Sequence, residues 1–127
     1  MKYLSGEDIL VIHSEIIDAT GGTHGLRDTG LFLSIIDRPK VSFGGQEMYA
    51  TVFAKAAVYL EALARYHVFL DGNKRTALAA SARFLFLNGY KLAPTNKAAE
   101  DFMLRVVEDE LGLEEIVFWL KKNTAID

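Results

Sequence analysis

The chain contains no cysteine, which excludes disulfides, thiolate metal sites and a cysteine nucleophile. Two prolines and a single tryptophan leave few forced breaks, and three histidines are too few for a rich metal cluster. No uncharged apolar run approaches the roughly 20 residues that a membrane-spanning helix needs. The first residues, Met1-Lys2-Tyr3-Leu4-Ser5-Gly6-Glu7-Asp8, turn acidic before an apolar core develops, which argues against a secretory leader. Nor is there a strong charge of one sign. Fourteen Lys+Arg against seventeen Asp+Glu give a net charge of −3, a poor footprint for wholesale binding to nucleic acid or anionic membrane. What is present is apolar material: 50% of the 127 residues are hydrophobic, which excludes disorder and predicts one domain over residues 1–127, soluble and cytoplasmic.

Helical periodicity dominates. Ser5 with Asp8 three residues on marks a helix start, and Ile9, Leu10, Ile12, Ile16 and Ile17 continue it to Gly21-Gly22. The cluster Thr20-Gly21-Gly22-Thr23-His24-Gly25 reads as a turn. No Gly-Lys-Ser/Thr follows it and no strand precedes it, so it is not a phosphate loop. Asp28 is placed to cap a short helix through Ile36. Arg38-Pro39 breaks the pattern, and Val41, Phe43 and Gly44-Gly45 predict a short flap or hairpin. A long helix is expected from about Tyr49 to Tyr66, and another from Asn73 to Asn88-Gly89. Both are apolar nearly all round, as central helices are. Two more follow Pro94, over about Lys97–Glu110 and Leu113–Lys122. The fold class is all-α with one small hairpin.

The chemistry concentrates where the two apolar helices meet. His67-Val68-Phe69-Leu70-Asp71-Gly72-Asn73-Lys74-Arg75-Thr76 sets a histidine, a carboxylate, an amide and two cations between buried stretches. Taken singly, each has an ordinary structural use as a helix-end histidine, a turn or a solvated pair. Their contiguity points instead to a site, because burying charge without a partner costs several kcal/mol. Gly72 permits a tight turn and Asn73 opens a helix whose first N–H groups and positive dipole end form an anion site. Lys74 and Arg75 oppose that dipole unless an anion sits there. A polyphosphate answers this arrangement. Asp71 beside it suits Mg²⁺, and the His67 imidazole suits removal of a proton from a hydroxyl. A zinc site of His67 with Asp71 is disfavoured, since Gly72 interrupts the helix.

The run His67-x-Phe69-x-Asp71-Gly72-Asn73-Lys74-Arg75 resembles the signature of the Fic/Doc superfamily, specifically its Doc branch. Gly25-Leu26-Arg27-Asp28-x-Gly30-Leu31, Ile36-x-Arg38-Pro39 and Phe86-Leu87-Asn88-Gly89-Tyr90 also look like Doc-type positions. The resemblance implies a compact six-helix Fic-type domain with a small flap. It implies ATP and Mg²⁺ as cofactors, His67 as the base, Asp71 as metal ligand, and Gly72, Asn73, Lys74 and Arg75 as the phosphate-binding turn. It further places Arg65, near the end of the preceding helix, where it supports the phosphates or braces Asp71. Fic enzymes that transfer AMP carry glycine at the Lys74 position and a second arginine at the Leu78 position. Doc-type toxins share both departures seen here, and they move the γ-phosphoryl group of ATP onto a threonine of elongation factor Tu, halting protein synthesis. Ala79 stands where some Doc members have asparagine, which removes one polar contact to ATP. The alternatives are an AMP transferase and a non-catalytic interaction domain with a vestigial site; the intact His67, Asp71, Asn73, Lys74 and Arg75 argue against the latter.

The resemblance also bears on control. Many Fic enzymes restrain themselves with Ser/Thr-x-x-x-Glu-Gly/Asn, and this chain has no such pattern. Inhibition is therefore expected from another chain, a Phd-type antitoxin with a C-terminal segment disordered until it binds. The free protein is expected to be a monomer that engages neither nucleic acid nor membrane directly.

Overall fold

A computed structural model describes residues 1–126. Ser5 opens α1 (Gly6–Thr20) with a reciprocal cap: its Oγ accepts from the Asp8 N–H and the Asp8 carboxylate accepts from the Ser5 N–H. Asp28 caps α2 (Thr29–Asp37) through the Leu31 N–H at 2.9 Å. A 3-10 turn over Arg38–Lys40 leads into the hairpin, β1 (Ser42–Phe43) and β2 (Gln46–Glu47), paired Ser42 to Glu47 and Phe43 to Gln46. Gly44 and Gly45 both adopt positive φ, as a two-residue hairpin turn demands, so the expected flap is there.

Two helices form the centre. α3 (Val52–Arg65) starts at the Thr51 cap, three residues later than its apolar pattern suggested, and every residue from Lys55 to Ala64 is buried. α4 (Asn73–Leu87) lies along it, with Ala77 and Ala80 facing a partner rich in alanine. The close approach is tied by Ser81 Oγ donating to Ala56 O at 3.0 Å. α1 and α2 pack on one side of this pair. α5 (Asn96–Glu108) and α6 (Leu113–Lys122), capped by Thr95 and by Glu115 reaching back to the Gly112 N–H, also pack against α3. The six helices bear out the expected class.

One element was not anticipated. β3 (Tyr90–Leu92) pairs antiparallel with β4 (Thr124–Ile126), Tyr90 opposite Ile126 and Leu92 opposite Thr124. Three-residue strands are too short to carry a period. Among the described residues no helix is long and apolar enough to cross a membrane.

Lys55 is fully buried in α3, yet charged. Its Nζ donates to Pro39 O at 2.8 Å and to Glu47 Oε1 at 2.9 Å and lies 5.4 Å from the centre of the Tyr3 ring, so a central helix holds the hairpin root. Burial acts to lower its pKa, but the partnership with Glu47 and Tyr3 outweighs this and raises it.

Candidate active site

α3 ends at Tyr66, and the chain then turns sharply: His67 holds φ +50. A non-glycine residue keeps that conformation only where its surroundings dictate it. Here they do. The Arg27 side chain donates to two successive carbonyls, Nε to His67 O at 2.6 Å and a terminal nitrogen to Tyr66 O at 3.2 Å. The Arg27 and Asp28 N–H groups both donate to Val68 O, and Leu70 N–H donates to Gly25 O. The α1–α2 connection thus forms a wall for the loop over 67–72. The His67 side chain is exposed, with no hydrogen-bond partner among the described residues.

Inside the loop, Phe69 is buried and stacks on His13 of α1, with ring centroids 3.8 Å apart and planes within 7°. His13 Nε2 also bonds to Asp71 O at 2.8 Å. Asn73 clasps Phe69 from the other side, accepting from its N–H and donating to its carbonyl, both at 3.0 Å. The Asn73 side chain is therefore spent on the loop, and its share in any anion site narrows to its backbone N–H. Asp71 accepts from the Thr23 N–H through Oδ2 at 2.8 Å, while Oδ1 makes no hydrogen bond among the described residues.

Gly72, at φ +75 and ψ +20, directs the chain into α4, whose N-terminus has no side-chain cap. Its leading N–H groups lack partners within the helix. Lys74 and Arg75 stand beside them, exposed and without an ion-pair partner among the described residues. His67, Asp71, Gly72, Asn73, Lys74 and Arg75 thus share one corner.

Arg65 does not join them. Its guanidinium donates to Val106 O through Nε and Nη2 at 2.9 and 2.7 Å and to Leu111 O, and pairs with Glu61 at 3.2 Å. Where the resemblance places Arg65 at the phosphates or Asp71, the structure has it tie α3 to α5 and to the α5–α6 connection. Glu61 also meets Arg38, which donates to the Tyr66 hydroxyl at 3.0 Å. Sequence reasoning did not single out His13, Thr23 or the use of Arg27 as a clamp. The available signal was His13 itself, a polar residue in the buried stripe Ile9, His13, Ile17 at helical spacing.

An exposed histidine on a strained loop, a carboxylate with a spare oxygen and an uncapped helix start beside two cations define a helical domain with a candidate anion site. Residues 3–85 match the model of the Fic/DOC family, and the chain belongs to that family, in its Doc branch. It is 40% identical over 117 residues to Toxin Doc of Mycolicibacterium smegmatis, an alignment covering 91% of this chain and 88% of that protein. It is 31% identical over 122 residues to Protein kinase doc of Escherichia phage P1, covering 96% and 95%.

Proposed function

We propose that this protein is a Doc-type toxin: a phosphotransferase that moves the γ-phosphoryl group of ATP onto a Ser/Thr hydroxyl of a translation factor such as elongation factor Tu. The observation that carries the reading is the uncapped start of α4, with Lys74 and Arg75 exposed and unpaired among the described residues, beside the exposed His67. The names of the two relatives, a toxin and a protein kinase, support it.

The residues fit the implied cofactors. The free N–H groups of α4, its dipole and two unpaired cations suit a polyphosphate, and Asp71 retains one oxygen for a cation. No group of three or more His, Asp or Glu side chains converges on a metal position among the described residues. That suits Mg²⁺, which takes one or two protein carboxylates and fills its remaining positions with phosphate and water oxygens. When bound, Mg-ATP supplies the transferable group and part of its charge neutralisation.

The chain's own residues would then divide the work. His67 takes the proton from the attacking hydroxyl at its unpartnered imidazole. Lys74, Arg75 and the α4 N–H groups hold the phosphates and offset negative charge as it develops. Arg27, His13 and Asn73 fix the loop so that this geometry exists before the target arrives. The hairpin would bind an extended stretch of the target. A Phd-type antitoxin, its acidic C-terminal segment ordering on binding, would restrain the activity.

Incubation with elongation factor and ATP labelled at the α or the γ phosphate tests the reading. Label should pass from the γ position, and His67→Ala should lower turnover roughly 10²–10⁴-fold with ATP affinity retained. Transfer from the α position would replace the kinase reading by AMP transfer. Transfer of neither, with the fold intact, would defeat both.

A further inference from the structure

The hairpin and the His67 loop are joined through one side chain. Arg38 opens the 3-10 turn that leads into β1, and its guanidinium reaches the end of α3. Nη1 donates to the Tyr66 hydroxyl at 3.0 Å, Nη2 meets Glu61 Oε1 at 3.4 Å, and the guanidinium carbon lies 5.6 Å from the centre of the Tyr66 ring. Burial acts to lower the Arg38 pKa, but bonding to the Tyr66 and Tyr49 hydroxyls outweighs this and raises it. Tyr49 stands just past β2, so the way into the hairpin and the way out of it meet at this guanidinium. Glu61 is itself pinned by Arg65 at 3.2 Å. Tyr66 is held twice, at its hydroxyl by Arg38 and at its carbonyl by Arg27, and the next residue is His67 at φ +50. On the hairpin side, Arg38 O accepts from Val41 N–H, Val41 O accepts from Met48 N–H, and the buried Lys55 holds Pro39 O.

We propose that Arg38 is a positioning residue: acting through Tyr66, it fixes His67 relative to the hairpin, so that a protein docked on the hairpin brings its hydroxyl to the imidazole. The inference rests on the reading above of His67 as the base and the hairpin as the target-binding edge. Strand pairing sets the register of a target on the hairpin, but it does not set where the base stands. Base and docking edge belong to different segments of the chain, and a misplacement of about 1 Å between reacting groups can cost on the order of 10²-fold in rate. A guanidinium that bonds two partners at once supplies the rigid link, which a single ammonium cannot. Glu61 keeps that guanidinium from following the hairpin, and Arg27 carries the constraint from Tyr66 to the His67 carbonyl at 2.6 Å.

Two mild variants break the link. Tyr66→Phe deletes one oxygen from a side chain that is 37% exposed, and Arg38→Lys keeps a charge for Glu61 but loses the fork. In transfer of γ-phosphate to elongation factor Tu, each should lower kcat about tenfold and leave KM for ATP and for the factor within about twofold. Both variants break the same bond, so the double variant should be no slower than the slower single one. Unchanged kcat, additive losses, or a raised KM for the factor at full kcat would each overturn the assignment, the last by making Arg38 and Tyr66 direct target contacts. Amide exchange reads the link without any activity. Tyr66→Phe should speed exchange about threefold at Leu70 N–H in the loop and at Met48 N–H in the hairpin, with Ala80 N–H in α4 within about twofold of the parent. Acceleration at Leu70 alone, at neither, or equally at all three overturns the proposal, the last because it reports general loss of stability. A parent protein that transfers no phosphate to the factor removes the kinase reading, and the exchange rates still decide whether Arg38 joins hairpin and loop.

Discussion

Gly72→Ala probes the joint between the His67 loop and α4. At φ +75 and ψ +20 an alanine meets the left-handed penalty of about 1–2 kcal/mol. The added Cβ would lie 2.9 Å from Ile17 Cδ1, closer than packed carbons tolerate. Ile17 is 3% exposed, so its methyl must move within a filled core, at about 0.5–1.5 kcal/mol for an off-rotamer side chain. Reduced freedom of the unfolded chain offsets about 0.4–1 kcal/mol. The net loss is roughly 0.5–3 kcal/mol, or about 2–12 °C in Tm for a domain of this size. Thermal and urea unfolding measure it directly. Ile17→Val removes the colliding methyl and should cost less in the alanine background than in the parent. Strict additivity would show that Ile17 carries none of the penalty, and an unchanged midpoint for Gly72→Ala would refute the strained-joint account altogether.

Two further outcomes are expected. Burial pushes the Tyr59 phenol up to about 12 against the opposing hydrogen bond from the Leu4 N–H. Its folded pKa exceeds the unfolded value, so its contribution is complete below about pH 10 and is lost between about pH 10 and 12, roughly 3 kcal/mol in all. Lys55, also raised, acts with the same sign above the ordinary lysine range. Urea midpoints across that range, followed with phenolate absorbance, check this; five tyrosines titrating together near pH 10 with no change in midpoint would contradict it. In the hairpin, Val41 O accepts from Met48 N–H, so the alternation of the ladder turns the Ser42 N–H outward. Ser42→Pro should raise KM for a protein target severalfold and leave KM for ATP unchanged, whereas equal effects on both would exclude strand pairing.

α1 and α2 were legible because each combines an apolar face with a readable cap, and α6 runs over the residues its pattern marks. The start of α3 moved from Tyr49 to Val52 because the Thr51 Oγ takes the Ala54 N–H, a local bond that hydrophobic periodicity does not register. β3 and β4 were invisible because their pairing joins segments far apart in sequence. The same divide runs through the site. His67 to Arg75 could be read because they are contiguous in the chain. The direction of Arg65 could not, because its acceptors, Val106 O and Leu111 O, lie more than forty residues away. The resemblance assigned Arg65 to the phosphates or Asp71, and its guanidinium is held by distant carbonyls. His13 was missed for the same reason: its partners, Phe69 and Asp71, sit on another element.

The two ends of the described chain meet at one corner. The Asn88 side chain bonds to both the N–H and the carbonyl of Lys2, and two residues further on Tyr90 pairs with Ile126. That corner lies at the C-terminal end of α4, while the phosphate turn lies at its N-terminal end, some 22 Å away along fifteen residues of helix. Residues 2 and 126 are thereby brought within reach of a short linker. Affinity tags and fluorescent fusions placed at either end would sit a full helix length from the chemistry.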